Sequence, residues 1–484
     1  MTDSNNQMPS SVRSGDAKRI HVIAVCGVAM AALAGMLKQR GFEVSGSDEN
    51  VYPPMSTVLE RLGIAIRPGF SAANLADRPD LVVVGNRVSR SNPEVEAMLE
   101  AQLPYVSLPQ ALAELFLEGR RPLVVAGTHG KTTTTAMLAW VLESARRDPS
   151  VMVGGDALNF GGNYKLGAGE FFVIEGDEYD TAFFDKGPKF LHYRPSALLL
   201  TAIEFDHADI YRDLEHVKDS FRRLLAILPD AAPLVVSSDF PHAVDVVAQR
   251  RAVTFGLNAP SVWQAKRIRD DGRSTVFDIV RHGRIECTAR TPAVGQINAR
   301  NALGVFVLLK ELGLPTVDIL DGIATFRGVS RRQELVGEWD GIALVDDFAH
   351  HPTAVAGVIA AMRLRYPNRR LWAVFEPRSN TSRRKIFQRE YGDALASADR
   401  VVIAGVFQKQ SDAVDDADVF SPEQLVADLT ARGVSACTRG DAGAIAELIG
   451  RECRHGDVIV MMSNGGFGGL RGKLEALFAA RSIS

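Results

Sequence analysis

The sequence predicts an α/β protein with three domains, each built on a mainly parallel β-sheet. Short apolar runs typical of buried strands are followed by a loop and a helix, and this order recurs in three successive parts of the chain. The length of 484 residues suits about three domains, at roughly 100–200 residues each. The predicted strands are 21–25, 81–84, 123–126, 171–174, 197–202, 342–345, 371–375, 401–404 and 457–462.

These segments divide the chain into a short tail and three domains. We expect a disordered polar tail over residues 1–17, a first domain over 18–119, a central domain over 120–330 and a C-terminal domain over 331–484. Hydrophobic residues make up 46% of the chain, which is enough to fill three cores.

Composition excludes several classes of protein. A net charge of −3 provides no overall positive field, which argues against nucleic-acid binding. The four cysteines are dispersed, which favours isolated thiols in a reducing compartment over a zinc site or disulfides. The tail lacks the apolar run of a secretory signal, and no stretch approaches the ~18–20 apolar residues needed to cross a bilayer. We therefore expect a cytoplasmic protein that does not insert into membranes.

The first domain begins with a βαβ pattern. Strand 21–25 leads through Gly27 into a helix over 29–40, and a second strand over 43–45 leads to Asp48. An acidic residue about twenty positions after a glycine is typical of a Rossmann-like dinucleotide site, although Ala29 stands near the position of a second glycine. The pattern predicts a phosphate or ribose site at a strand end. On this unit alone, an NAD-dependent oxidoreductase is an alternative.

The central domain begins with the strongest motif of the chain. Strand 123–126 runs into a glycine-bounded turn and a helix start, with the residues Gly127, Thr128, His129, Gly130, Lys131, Thr132 and Thr133. Backbone N–H groups of such a turn bind an anion. Lys131 is expected to contact the β- and γ-phosphates of ATP, and Thr132 to ligate Mg²⁺. Two residues separate the glycines, where the ordinary P-loop has four. We predict a P-loop-type ATPase domain with a shortened loop.

Acidic residues and a histidine follow two further strands of this domain. Because ligand sites of parallel sheets lie at the carboxyl ends of strands, Glu175 is favoured as a magnesium ligand, and His207 is expected to contact metal or phosphate. The neighbouring candidates to Glu175 are Asp177, Glu178 and Asp180. A non-catalytic nucleotide-binding regulator is consistent with these features as well.

The third domain, also predicted to be Rossmann-like, shows the same arrangement twice. Asp346 and Asp347 follow a strand and precede His350 and His351. They could bind ribose hydroxyls and a substrate anion, assist proton transfer, or form only a capped turn. Arg378, after the next strand, offers a planar fork for a carboxylate, and a helix-initiating loop is the alternative there.

Taken together, these motifs resemble the Mur ligase family, the ATP-dependent amide-forming enzymes of peptidoglycan metabolism. The resemblance extends from about residue 20 to the C-terminal region and is carried by residues 127–134, 175–180, 206–207, 298–301, 331–332 and 346–352. Two branches of the family share the acceptor UDP-N-acetylmuramate. One adds L-alanine, and the other adds the recycled tripeptide L-alanyl-γ-D-glutamyl-meso-diaminopimelate.

Local features are more similar to the tripeptide branch, in residues 47–55, 175–185, 346–352 and 376–381. The alanine-adding branch typically has tyrosine where Phe348 stands and lacks the Pro-Arg-Ser-Asn run around Arg378. An arginine there suits a peptide with additional carboxylates. The resemblance implies a ligase of peptidoglycan recycling that uses small-molecule substrates and is a monomer or weak homo-oligomer. The L-alanine ligase is the alternative.

The resemblance also implies residue roles. The lactyl carboxylate of the acceptor attacks the γ-phosphate of ATP, giving an acyl phosphate and ADP, and the amine then displaces phosphate. Catalytic roles are implied for Lys131, His207, Arg331, Arg332 and His351, and Mg²⁺ ligation for Thr132, Glu175 and His207. Nucleotide contacts are implied for the glycine turn, Asn298, Arg332 and Asp346. Substrate contacts are implied as well. Gly27, Met30 and Asp48 of the first domain would hold the UDP end of the acceptor. The other implied substrate contacts are His351, Arg378, Ser379 and Asn380.

Two departures from the family pattern affect these expectations. Ile297 stands where a histidine usually precedes the first asparagine, which leaves the adenine contact of Asn298 open. Several members carry a carbamylated lysine. The matching stretch here, residues 213–224, contains Lys218, but an arginine, Arg222 or Arg223, stands near the expected position. We do not predict a carbamate.

Overall fold

The computed structural model describes residues 6–16, 18–52, 55–407 and 418–481. These residues form two compact units. The first contains the described residues up to Ile203, Lys218–Val253 and Val307–Gly322. The second contains Glu204–Val217, Thr254–Phe306 and the described residues from Ile323 onward. Within the described ranges, no helix combines the length and apolar character needed to cross a bilayer.

The first part of the first unit is a five-stranded parallel sheet. Its elements are α1 (Ser10–Ser14), β1 (Arg19–Ile23), α2 (Val28–Gln39), β2 (Glu43–Asp48), α3 (Met55–Arg61), β3 (Ala65–Pro68), β4 (Leu81–Val84), α4 (Pro93–Glu100), β5 (Tyr105–Ser107) and α5 (Leu108–Leu112). The strand order β3-β2-β1-β4-β5 reverses direction between β1 and β4. Ligands of open α/β sheets bind at such a switch point. The Rossmann-like first domain is confirmed.

The N-terminal segment differs from the predicted tail where it is described. Residues 6–16 include helix α1, and Met8 and Val12 are buried, at 4% and 1% exposure. The prediction of disorder is wrong for this stretch, because two apolar side chains give the segment a surface to bury. Residues 1–5 and 17 lie outside the described residues.

The central part of the chain provides a second set of parallel strands. Its elements are β6 (Arg121–Ala126), α6 (Lys131–Ser144), β7 (Ser150–Ala157), β8 (Gly162–Lys165), β9 (Phe171–Gly176), β10 (Asp180–Ala182), β11 (Asp185–Pro188), β12 (Ala197–Leu200), α7 (Leu214–Ile227), β13 (Leu234–Ser237) and α8 (Pro241–Val246). Strands β13, β12, β6, β9 and β7 are parallel in that order, and β8 adds an antiparallel edge. The register pairs Ala126 with both Leu200 and Gly176, so β6, β9 and β12 end side by side.

The second unit contains an antiparallel meander, so the middle domain is not built from parallel strands alone. Its elements are β14 (Val253–Gly256), β15 (Trp263–Asp270), β16 (Thr275–Arg281) and β17 (Arg284–Thr291), with α9 (Gln296–Glu311) and α10 (Thr316–Ala324) following in the chain. Strands β15, β16 and β17 are antiparallel. His282 and Gly283, both with positive φ, form the two-residue turn that joins β16 to β17. These antiparallel strands are absent from the sequence prediction.

The C-terminal part forms a six-stranded sheet with cores on both faces. Its elements are β18 (Glu334–Trp339), β19 (Ile342–Asp347), α11 (Pro352–Arg365), β20 (Leu371–Phe375), α12 (Gln388–Leu395), β21 (Arg400–Ala404), α13 (Pro422–Ala431), β22 (Ser435–Arg439), α14 (Ala442–Glu452), β23 (Val458–Met462) and α15 (Leu470–Arg481). The order is β18-β19-β23-β20-β21-β22, parallel except for β18. Ala343 and Val345 belong to one apolar cluster and Leu344 to the other, as expected for a strand covered on both faces. This domain is Rossmann-like, as predicted.

Candidate active site

The glycine turn between β6 and α6 is held by the end of β12. Gly127 has φ 135°, and a Cβ atom there would lie 2.4 Å from Thr201 Oγ1 and 2.6 Å from the Ala202 carbonyl oxygen. The Thr128 N–H donates to the Ala202 oxygen at 2.7 Å, and Thr201 Oγ1 donates to the His129 oxygen at 2.5 Å. Only glycine fits at position 127, because the loop lies against the neighbouring backbone.

Lys131, the first residue of α6, is paired with a buried carboxylate. Its Nζ donates to Glu178 Oε1 and Oε2 at 2.9 and 2.7 Å and to the Gly127 oxygen at 2.6 Å. Burial lowers the pKa of Lys131, but the charges of Glu178, Asp177 and Glu175 outweigh burial and raise it. Lys131 therefore stays cationic next to the anion-binding turn. The sequence named Glu178 only as a neighbour of the metal ligand.

Thr132 and Glu175, two of the residues predicted to bind magnesium, are in contact. Thr132 Oγ1 donates to Glu175 Oε1 at 2.9 Å, and the Gly154 N–H donates to Glu175 Oε2 at 2.7 Å. A hydroxyl and a carboxylate are the hard oxygen donors that Mg²⁺ prefers. This donor pair fits the ion. Thr133 lies in the same helical turn and is partly exposed.

The other acidic residues after β9 have lysine partners. Asp177 pairs with Lys189, and Asp180 Oδ2 lies 3.3 Å from Lys186 Nζ. Burial, together with the charges of Asp177 and Glu175, raises the pKa of the Tyr193 hydroxyl, which therefore stays neutral beside them. Glu175 is the carboxylate of this group that contacts Thr132, and its role as a magnesium ligand stays a prediction.

The residues predicted for the UDP end lie together at the switch point of the first sheet. Gly27 is the N-cap of α2, and Met30 in the next turn is 6% exposed. Asp48 Oδ2 accepts from the Cys26 N–H at 2.9 Å, and Oδ1 accepts from the Asn50 N–H at 2.8 Å. Burial and the charge of Asp48 raise the pKa of the Cys26 thiol to about 11, so the thiol is neutral. Backbone N–H groups at a helix N-terminus suit a pyrophosphate.

The second unit gathers three imidazoles around Asp206. Its carboxylate is 4% exposed, accepts from the His207 N–H at 2.7 Å, and lies 3.6 Å from His350 Nε2. Burial raises the pKa of Asp206, but the charges of His207, His350 and His351 outweigh it and hold the pKa well below the ordinary value. His207 has φ 57°. The structure places Glu175 in the first unit and His207 in the second, so their joint role in magnesium binding stays a prediction.

His351 is the N-cap of α11. Its Nδ1 accepts from the Thr353 N–H at 3.3 Å, its ring centre lies 4.8 Å from that of Phe387, and it is 5% exposed. Because Nδ1 is an acceptor, a neutral ring carries its proton on Nε2. The capped turn, given on sequence as the alternative to a functional role, is formed by His351 itself. Its predicted contact with substrate stays a prediction.

Arg331 and Arg332 both lie against the Phe348 ring, and Arg331 also contacts Asp346. Their guanidinium carbons lie 5.4 and 4.8 Å from the Phe348 ring centre. Arg331 Nε donates to Asp346 Oδ2 at 3.2 Å, and its Nη2 donates to the Ser463 carbonyl oxygen at 2.7 Å. Burial raises the pKa of Asp346, against the attraction of Arg331 and Arg471.

Arg471 on α15 is a member of this cluster that sequence reasoning missed. Its two terminal nitrogens each donate to Glu334 at 3.2 Å, and Nη1 lies 3.6 Å from Asp346 Oδ2. The pairing of Arg471 with Glu475 at i+4 is an ordinary helical ion pair. Its partners in this cluster, Glu334 and Asp346, lie far away in the sequence, so no local pattern marks it.

Arg378 lies in a loop that the fold fixes at several points. Its guanidinium carbon is 3.8 Å from the Phe407 ring centre, and Nη1 lies 3.5 Å from Glu376 Oε1. Ser379 Oγ donates to Ser382 Oγ at 2.8 Å, and Asn380 Nδ2 donates to Asp209 Oδ2 at 2.5 Å. Substrate contacts of Ser379 and Asn380 stay predictions. Pro53 and Pro54 of the tripeptide-branch segment lie outside the described residues.

Asn298 lies in the first turn of α9 and is 7% exposed. Its Nδ2 donates to the Val294 carbonyl oxygen at 2.9 Å and to Gln333 Oε1 at 3.3 Å. The adenine contact stays a prediction. Lys218 Nζ lies 2.5 Å from Asp245 Oδ2, so this lysine has a carboxylate partner of its own.

An anion-binding turn with a buried lysine and a hydroxyl–carboxylate pair, in a three-domain α/β chain, defines a nucleotide-dependent enzyme. Residues 19–120 match the Mur ligase family catalytic domain, 125–309 the Mur ligase middle domain, and 331–465 the Mur ligase glutamate ligase domain. The chain belongs to the Mur ligase family, the family of ATP-dependent ligases that form C–N bonds, so the oxidoreductase alternative is set aside.

Relatives from both predicted branches are similar to the chain. It is 39% identical to the UDP-N-acetylmuramate–L-alanyl-γ-D-glutamyl-meso-2,6-diaminoheptandioate ligase of Escherichia coli K12, over 94% of this chain and 97% of that one. It is 33% identical to the UDP-N-acetylmuramate–L-alanine ligase of Desulfitobacterium hafniense, over 92% and 97%. The crystal structure of a murein peptide ligase from Psychrobacter arcticus superposes with a TM-score of 0.71 at 34% identity, covering 95% and 98% of the two chains.

Proposed function

We propose that this chain is a ligase that uses ATP and Mg²⁺ to join UDP-N-acetylmuramate to L-alanyl-γ-D-glutamyl-meso-diaminopimelate through an amide bond. The observation that carries the proposal is the shortened glycine turn, after which the largely enclosed Lys131 pairs with Glu178 and Thr132 contacts Glu175. The higher identity to the tripeptide ligases than to the alanine ligases, 39% against 33–35%, supports the choice of amine. A cytoplasmic location and a monomeric or weakly associating state belong to the same proposal.

The reaction first transfers a phosphoryl group to a carboxylate oxygen and then an acyl group to an amine nitrogen. The lactyl carboxylate attacks the γ-phosphorus of ATP, and ADP leaves with an acyl phosphate formed. The tripeptide amine then attacks the acyl carbon, loses a proton, and phosphate leaves. Such chemistry depends on positioning and on neutralising negative charge.

The first unit would supply the phosphate and acceptor contacts. Lys131 would neutralise the transferred phosphoryl group, and the N–H groups of the turn would hold the other phosphates. Thr132 and Glu175 would hold Mg²⁺, and the ion bound there would screen the phosphate oxygens. His207, in the second unit, stays a predicted ligand. Gly27 and Asp48 would hold the UDP end.

The second unit would supply nucleoside and amine contacts. Asp346, oriented by Arg331, would accept from ribose hydroxyls, and Arg332 and Asn298 would complete the nucleotide contacts. His351, Arg378, Ser379 and Asn380 would contact the amine substrate. Arg378 is fixed by Phe407 and Glu376, and a guanidinium held in this way matches a peptide carboxylate that L-alanine lacks.

A product assay tests the proposal. The enzyme is incubated with UDP-N-acetylmuramate, ATP and Mg²⁺, and L-alanine and the tripeptide are offered in parallel. We expect amide product and ADP with the tripeptide. A preference for L-alanine would assign the chain to the other branch, and no ADP with either amine would refute the ligase assignment.

A Lys131→Ala variant serves as the matched control in the same assay. Because it loses a charge that is needed in the transition state, turnover should fall on the order of 10³-fold. Unchanged ellipticity would show that the fold is intact. Near-normal ligation by this variant would refute the role of Lys131.

A further inference from the structure

Asn163 on the edge strand β8 contacts α2, the helix of the first domain whose N-terminus is expected to bind the UDP end of the acceptor. Its side chain is 7% exposed, and its Nδ2 donates to the Val28 carbonyl oxygen at 3.1 Å. Val28 is the first residue of α2 and follows Gly27, the N-cap. A buried amide from the middle domain is therefore bonded to the helical turn at which UDP is expected to bind.

Strand β8 forms a hairpin with β7, and this hairpin also contacts the phosphate site. Strand β8 pairs with β7, where the Gly154 N–H donates to Glu175 Oε2 at 2.7 Å. Glu175 in turn accepts from Thr132 Oγ1 at 2.9 Å. One hairpin, residues 150–165, thus bonds through one strand to the carboxylate of the phosphate site and through the other to α2.

A second contact brings β8 close to α2. A Cβ atom at Gly35 would lie 2.2 Å from the Tyr164 hydroxyl oxygen, so the absence of a side chain at Gly35 lets the tyrosine lie against the helix. The Tyr164 contact gives proximity, whereas the Asn163 bond is directed to one backbone atom of the first turn.

We propose that Asn163 is a positioning residue that holds the first turn of α2, and with it the UDP end of the acceptor, in register with the phosphate site. The inference rests on the proposed function, because it assumes that UDP-N-acetylmuramate binds at Gly27 and Asp48. The amide acts through the backbone of α2 and needs no contact with the substrate.

Initial rates of ADP release test the inference, with each substrate varied in turn. Asn163→Ala removes the donor, and Asn163→Asp keeps the volume without an amide donor. Loss of one neutral hydrogen bond corresponds to roughly 2- to 10-fold in affinity, so the KM for UDP-N-acetylmuramate should rise by that factor while the KM for ATP is unchanged. Calorimetric titration with UDP, which needs no turnover, should show the same weakening.

Ser196→Ala is the matched control. It removes the Ser196 hydroxyl, which donates to the Pro122 carbonyl oxygen at 3.0 Å. This bond lies at the opposite end of the strands from the phosphate site, so both KM values should stay unchanged. Asn163 variants with wild-type affinity for UDP and for the acceptor, or with an equal rise in the KM for ATP, would overturn the inference alone. A wild-type protein that neither releases ADP nor binds UDP would overturn the proposed function and this inference with it.

Discussion

Lys131 and Glu178 form an ion pair that is almost completely enclosed. The ammonium nitrogen lies 2.9 and 2.7 Å from the two carboxylate oxygens, and the side chains are 13% and 2% exposed. A buried charge is tolerated when it is paired and hydrogen-bonded. Glu178 therefore keeps the Lys131 ammonium charged at the start of α6, where burial alone would favour the neutral amine.

Glu178→Gln should destabilise the protein, because it leaves the Lys131 ammonium with a weaker partner. The expected cost is about 1–3 kcal/mol, seen as a lower midpoint in urea titration followed by fluorescence. The double variant Lys131→Met/Glu178→Gln removes both charges and should lose less than Glu178→Gln alone. A double variant that is the less stable of the two would contradict this account of the pair.

Gly127→Ala should damage both stability and nucleotide binding. Its Cβ would lie within 2.8 Å of three atoms of Thr201 and Ala202, at φ 135°. Gly119→Ala is the control, since Gly119 has φ 73° with no atom within 4 Å of the added carbon, and it should cost only about 1 kcal/mol. Thermal unfolding and ATP titration of both variants check the difference. Equal effects of the two substitutions would show that the contact with β12 is unimportant.

Features marked by a local sequence pattern could be predicted, whereas contacts between residues far apart in the sequence could not. The strand ending at Ala126 and the turn with Lys131 were predictable because apolar runs, glycines and a lysine lie in one short stretch. The pairing of Lys131 with Glu178 was not, because several acids follow β9 and only the three-dimensional fold selects among them. Arg471 and Asn163 gave no signal, since each acts on a backbone or carboxylate far away in sequence.

The antiparallel strands β15–β17 show a second limit. Two of these strands are joined by the short turn at His282 and Gly283. The strands themselves show only a weak alternation of apolar and polar residues. Strand β17 is largely exposed over Arg284–Thr291, so no clear hydrophobic face marks it. Buried parallel strands such as β20, apolar throughout, are far easier to predict.

Arg378→Ala should weaken the amine substrate selectively. A hydrogen-bonded charge contact is worth about 1.5–3 kcal/mol, so the KM for the tripeptide should rise about 10- to 100-fold while the KM for ATP changes little. Arg378→Lys keeps the charge but loses the planar fork, so its KM for the tripeptide should lie between those of the wild type and Arg378→Ala. Steady-state rates with each substrate varied separately give the answer, and a parallel rise in both KM values would argue against a carboxylate contact.

Asp206→Asn should lower stability in a pH-dependent manner. The positive charges of His207, His350 and His351 outweigh burial and hold the pKa of Asp206 well below its ordinary value in the folded state. Each unit by which the pKa is lowered is worth about 1.4 kcal/mol. A lowered carboxyl pKa stabilises the fold above the unfolded value, about 3.9, and this stability is lost as the pH falls through the folded pKa.

The difference between wild type and Asp206→Asn should therefore be constant from pH 5 down to about pH 4 and shrink below it. Urea midpoints at pH 5, 4 and 3 measure it. Asp230→Asn is the control, because the Asp230 side chain is 99% exposed, and it should stay within about 0.5 kcal/mol of wild type at each pH. A deficit at Asp206 that grows as the pH falls below 4 would mean that the imidazoles do not stabilise the ionised carboxylate, and the charge arrangement described around Asp206 would have to be abandoned.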